Sequence, residues 1–174
     1  MTRRNILTLL SGGDRRSIGQ ADRVAAMVSN EAKLFPELIA GLRSSDPLVR
    51  MRAADAAEKV TRKHSELLQP YKRELLGLMA EAGEQELRWH LAVMVPRLAL
   101  TMKERRAAMS LLEDYLEDGS SIVKTFALQG MADLAEAEAG LRPRVLKTLR
   151  EATRKGTPAM KARSRKLLSQ LRHF

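Results

Sequence analysis

Side chains able to do chemistry are few and scattered in this chain of 174 residues. His64, His90 and His173 stand far apart, with no cysteine and no paired-histidine spacing, so the sequence offers no zinc site. The segment Gly12-Gly13-Asp14-Arg15-Arg16-Ser17 is a glycine-containing loop leading into a helix. It lacks the Lys-Ser/Thr ending of a phosphate loop and follows a predicted helix where such a loop needs a strand. It reads as a turn capped by Ser17, with an anion held by Arg15 and Arg16 as the alternative. Glu84 and Glu86, and Asp114 and Glu117, are helix-surface carboxylates with no second group to shift their proton affinity. The expectation is no catalytic, metal or cofactor site.

Binding chemistry is what remains, and it has two sources. Residues 1–141 hold 20 Lys plus Arg against 20 Asp plus Glu, whereas residues 142–174 hold 11 basic residues against Glu151 alone, so the net charge of +10 sits at the C-terminal end. Such an end attracts phosphate backbones, an acidic partner or an anionic surface, or serves as a solvated cap. The second source is the single Trp of the chain, Trp89, which falls with Val93, Pro96 and Leu100 on one flank of a predicted helix. The preceding helix has Met51, Asp55, Glu58 and Arg62 at the equivalent places, so a polar stripe has turned apolar.

The elements that position these residues repeat. Val49-Arg50, Leu87-Arg88, Val123-Lys124 and Met160-Lys161 each lie one turn into a predicted helix, at spacings of 38, 36 and 37 residues. Asp46, Glu84, Ser120 and Thr157 precede them as caps, Glu84 being the poor one, and Pro47 and Pro158 occupy first helical positions. Apolar residues then recur at steps of 4, 3, 1 and 3, as in Val49, Ala53, Ala56, Ala57 and Val60. Partner helices are predicted ahead of each: Lys33 to Arg43, Tyr71 to Ala82, a helix opened by the capping box Thr101-Met102-Lys103-Glu104, and Leu141 to Arg154 ended by Gly156. Thr2 to Leu10 and Ile18 to Val28 form a divergent first pair. Pro96, inside a helix expected from Glu84 to Leu100, should kink it.

The run Asp46-Pro47-Leu48-Val49-Arg50-Met51-Arg52-Ala53-Ala54-Asp55-Ala56 resembles the second helix of a HEAT repeat, and the other three units follow it in degenerate form from about residue 30 onward. The resemblance, to the small bacterial type of these armadillo-like proteins, implies an all-α, right-handed α-α superhelix of about five helix pairs. Residues 1–174 then form a single domain, with 1–29 a capping pair, 30–141 central repeats and 142–174 a basic capping repeat. It also implies a concave face along the second helices, and a basic ladder of Arg50, Arg88, Lys124 and Lys161 pairing with acids of adjacent units.

The functional expectation is a non-enzymatic scaffold that binds another protein, acidic or with an apolar anchor, on that concave face. The residues expected there are Arg52, Asp55, Arg88, Trp89, His90, Val93, Arg97, Phe126 and Gln129, with Arg88, His90 and Arg97 as a polar rim. The alternative is sequence-independent binding of a nucleic-acid backbone through Lys161, Arg163, Arg165 and Lys166. A HEAT-like DNA glycosylase is the least favoured reading, because one Trp and two Tyr leave its aromatic cleft unbuilt. Zero Cys suits a reducing cytoplasm, and the N-terminal apolar run is too short for a signal peptide or membrane span.

Overall fold

The computed structural model describes residues 5–172, so Thr2, at the start of the first expected helix, and His173 lie outside the described residues. Among those residues the secondary structure is helical throughout. One unit, ending at Tyr71, contains α1 (Ile6–Leu10), α2 (Ala21–Asn30), α3 (Phe35–Gly41) and α4 (Pro47–Thr61), then a 3-10 stretch over Ser65–Tyr71. The other, from Lys72, contains α5 (Lys72–Glu81), α6 (Gln85–Met94), α7 (Met102–Tyr115), α8 (Ser121–Ala137), α9 (Arg142–Lys155) and α10 (Pro158–Leu171).

Caps start the helices where the sequence places them. Asp46 accepts from the Leu48 N–H, Ser120 from Val123 and Thr157 from Met160, while Glu84 makes no side-chain cap bond. Thr101 and Glu104 close a reciprocal capping box at the start of α7. The basic partner of the repeated pair has a shared local task. Arg50 donates to the Ser44 carbonyl at 2.6 Å and Arg88 to the Ala82 carbonyl at 2.7 Å, each six residues back. Both guanidinium groups thus satisfy carbonyls left open where the preceding helix ends.

In the first unit α4 is the centre, packed by α1, α2 and α3. Its alanines explain the closeness: Ala53, Ala54, Ala56 and Ala57 are fully buried, and a Cβ on Gly41 of α3 would lie 2.9 Å from that of Ala53. Arg52 of α4 is the largest buried side chain, at 2% exposure, and it reaches into the loop between α1 and α2. Its Nη1 donates to the carbonyls of Leu10 and Gly12 at 2.9 and 2.6 Å, its Nη2 to Asp14 at 2.9 Å and its Nε to Ser17 at 3.2 Å. Gly12, Gly13 and Gly19 take positive φ values of 72°, 82° and 54° to aim those carbonyls inward. The glycine loop is therefore a collar around one arginine.

In the second unit, α6, α8 and α10 lie side by side, and each is backed by the helix before it, α5, α7 and α9. The long helix expected from Glu84 to Leu100 is not formed as one piece. Rather than kinking at Pro96, α6 ends at Met94, passes through a 3-10 turn at Val95–Arg97, and reaches extended backbone at Leu98. Proline cannot donate to the Ala92 carbonyl four residues back, and the tighter 3-10 turn takes over. That carbonyl instead faces Gly130 of α8, where a Cβ would lie 2.2 Å from the oxygen.

Candidate protein-binding face

Counting from the first residue of each repeated pair, positions three, six and ten residues on fall on one flank of each second helix. In the second unit these are His90 and Val93 on α6 with Arg97 in the 3-10 turn after it, Phe126, Gln129 and Asp133 on α8, and Arg163, Lys166 and Gln170 on α10. Side-by-side packing of the three helices brings several of them into contact.

The result is a row of flat groups running across the helices. Trp89 lies against His90, ring centroids 3.4 Å apart, and against Phe126 at 4.7 Å, with interplanar angles of 28° and 27°. Two rings so near and so parallel to one indole fit only on its opposite faces, so Trp89 is sandwiched. The Arg163 guanidinium continues the row, 5.2 Å from the Phe126 centroid, and donates to Gln129 at 2.7 Å. Gln129 in turn donates to Asp133 at 2.8 Å. Burial pushes the Asp133 carboxyl above its ordinary pKa, with Glu136 adding to it, while Gln129, Arg97 and Arg163 pull the other way. Trp89, Phe126, Gln129, Asp133 and Arg163 are all half-buried, and Lys166 is exposed.

Several expected site residues have other tasks. His90 is 2% exposed and Val93 6%, so neither forms a rim: α6 is covered by α5, α8 and its own 3-10 turn. His90 holds its ring with Nδ1 2.5 Å from the Glu86 carbonyl, an oxygen that only accepts, so Nδ1 carries the proton. Arg88 leaves this flank, because one residue past the anchor it points to nearly the opposite side of the helix. It pairs with Asp118 at 2.5 Å and lies 5.3 Å from the centre of the Tyr115 ring. Burial raises the Asp118 pKa, but the Ser120 N–H and Arg88 overcome that and hold it below the ordinary value. This is the ladder pairing expected between successive units.

Arg52 and Asp55 belong to the first unit. Arg52 is buried in its collar of carbonyls, and Asp55 pairs with Lys59 at 2.6 Å, which also bonds Asp22. Glu58, expected on an open polar stripe, is 3% exposed and holds Arg62 through two hydrogen bonds of 3.0 and 2.6 Å. The four cations expected to bind nucleic acid are divided by helix geometry. Lys161 and Arg165 share one flank of α10, whereas Arg163 and Lys166 lie on the flank facing Phe126. Asp133 is the site member that spacing alone did not single out, although its place ten residues past Val123 on the Phe126 flank was readable.

Among the described residues no group of three His, Cys, Asp or Glu side chains is placed to hold a metal, and no helix is long and apolar enough to cross a membrane. Comparison with protein-family models, curated proteins and solved structures finds no match to this chain.

Proposed function

We propose that the chain is a non-enzymatic helical-repeat module of HEAT-like solenoid architecture that holds a segment of another protein against the flank shared by α6, α8 and α10. The observation that carries this reading is the surface row Trp89–Phe126–Arg163, in which half-open aromatics are stacked across two helices and extended by an arginine on a third. Trp and Arg are the side chains that most often dominate binding energy, and a pre-stacked row loses little side-chain freedom on binding. Both faces of Trp89 are occupied, so a partner meets its edge and the open side of Arg163. Arg97, Arg163 and Lys166 give the flank a positive balance around Asp133. The partner that fits is an acidic segment carrying one apolar anchor. A reducing, cytoplasmic setting belongs to the same proposal and rests on the lack of cysteine.

The test is a paired substitution. Phe126→Ala and Arg163→Glu should each weaken capture of an acidic peptide with an apolar anchor while leaving the helical circular dichroism of the chain unchanged. Equal capture by both variants would remove this flank from the binding function.

A further inference from the structure

The outer surface of the last helix pair is a different feature, and it does not depend on the Trp89 flank. On α9 the buried residues Val145, Leu149 and Ala152 define the inner side, and Lys147, Arg150 and Arg154 lie opposite them, within about one quadrant of each other. On α10 the inner side is Ser164, Leu167 and Leu171, and Lys161, Arg165 and Arg172 share one outer flank. A groove between the two helices is lined by Arg150, Thr153 and Arg154 of α9 and Leu168 of α10, so it takes two cations from the α9 row, and Arg165 lies one turn before Leu168.

Charge balance separates this surface from the rest of the chain, because residues 142–174 hold 11 basic residues against Glu151 alone where residues 1–141 hold 20 against 20. Elsewhere Lys59, Arg62, Lys72, Arg88 and Arg105 hold carboxylates, and Arg50 and Arg52 hold carbonyls. On the last pair, Arg144 reaches Glu113 and Arg163 reaches Gln129. The six cations of the two outer rows make no ion pair or hydrogen bond to any described residue, and the one carboxylate of the pair is Glu151. Six like charges held near one another without partners cost self-repulsion, which a polyanion relieves.

We propose that the α9–α10 groove and the α10 flank beside it bind the phosphate backbone of a nucleic acid, with Arg150 and Arg154 in the groove and Arg165 on that flank as the principal contacts. Two observations favour phosphates over an acidic protein. Four of the six cations are arginines, whose planar fork matches phosphate oxygens. Leu168 is the one apolar residue among those lining the groove, and it is half-buried, whereas a protein partner needs several apolar contacts around an anchor and a phosphate backbone needs charge alone.

The experiment is fluorescence anisotropy of labelled single- and double-stranded DNA with the whole chain, from ~50 to ~200 mM salt. Six engaged phosphates give a slope of log affinity against log salt of about −5 on duplex DNA. The triple variant Arg150→Glu, Arg154→Glu, Arg165→Glu should lose at least about tenfold in affinity, and the Gln triple should lose less, in proportion to charge removed. Circular dichroism identifies folded variants, and the Gln triple decides the matter if the Glu triple does not fold. Trp89→Ala should bind DNA like the unaltered chain, which separates this proposal from the one above. Poly-glutamate of matched charge should compete at least about tenfold less well than DNA. Unchanged binding by the triple variants, no binding at the upper salt limit, or equal competition by poly-glutamate would each overturn the proposal.

Discussion

The carbonyl oxygen of Ala92 in α6 faces the α-carbon of Gly130 in α8, so closely that a Cβ on Gly130 would lie 2.2 Å from it. Pro96 has no N–H to offer that carbonyl, and the glycine hydrogen takes the place, in the geometry of a weak Cα–H···O contact. The two helices that carry Trp89 and Phe126 are thus set at their spacing by a missing side chain.

Gly130→Ala is expected to destabilise the fold by about 2–3 kcal/mol, because backbone must yield where no flexible side chain can. Ordinary helix propensity gives the opposite sign, since Ala normally improves on Gly by about 1 kcal/mol. Urea unfolding decides between them, and a stabilised variant would show the contact to be loose.

Arg52 and the glycine loop form one structure. Arg52→Ala removes four hydrogen bonds from a buried guanidinium and should cost at least about 3 kcal/mol. Arg52→Lys should not rescue it, because an ammonium cannot match four carbonyls set around a planar fork. Gly19→Ala should mimic the loss, since its Cβ would meet the Arg52 guanidinium at 2.8–3.0 Å and its φ is 54°. Amide hydrogen exchange across residues 11–20 is the readout, with faster exchange expected in all three variants.

Ser164 on α10 is fully buried, and its hydroxyl has no hydrogen-bond partner among the described residues. It stands where the other repeats place Ala53, Leu91 and Ala127, so an apolar group suits the site. Ser164→Ala should stabilise by about 1 kcal/mol, measured as a higher urea midpoint.

Tyr115 gives the chain a signature at high pH. Its hydroxyl donates to the Met79 carbonyl at 2.6 Å, and burial pushes its pKa up to about 12, with Arg88 opposing and Asp118 adding. The folded state therefore holds this proton more tightly than the unfolded chain does. The associated stability is complete below pH 10 and is lost as pH rises toward 12, by about 2–3 kcal/mol. Tyr115→Phe should flatten that alkaline loss, at a cost of about 1 kcal/mol at neutral pH.

The caps, the apolar stripes and the all-helical class were legible because they are local: Asp46, Ser120, Thr157 and the Thr101–Glu104 box act within one turn. The candidate face was legible only in part. Helical angle located Trp89 and Phe126 on one side, but it could not tell that neighbouring helices bury His90 and Val93. Arg52 was misread for the same reason, since its partners lie 35 to 42 residues away in sequence. Pro96 leads to the expectation of a kink where the helix in fact ends at Met94, and the close approach of Gly130 to Ala92 is a tertiary fact.

Binding at the Trp89–Phe126–Arg163 row is the central claim, and Trp89, the single tryptophan of the chain, reports on it directly. Peptides bearing Asp and Glu around one apolar anchor, selected from a displayed library against the whole chain, are titrated while Trp89 emission is followed. The account predicts a saturable change in emission that weakens at least about tenfold in Arg163→Glu and weakens with added salt. Peptides that bind the chain and Arg163→Glu alike, or that leave Trp89 emission unmoved, would contradict it, as would a selection that returns no binding peptide.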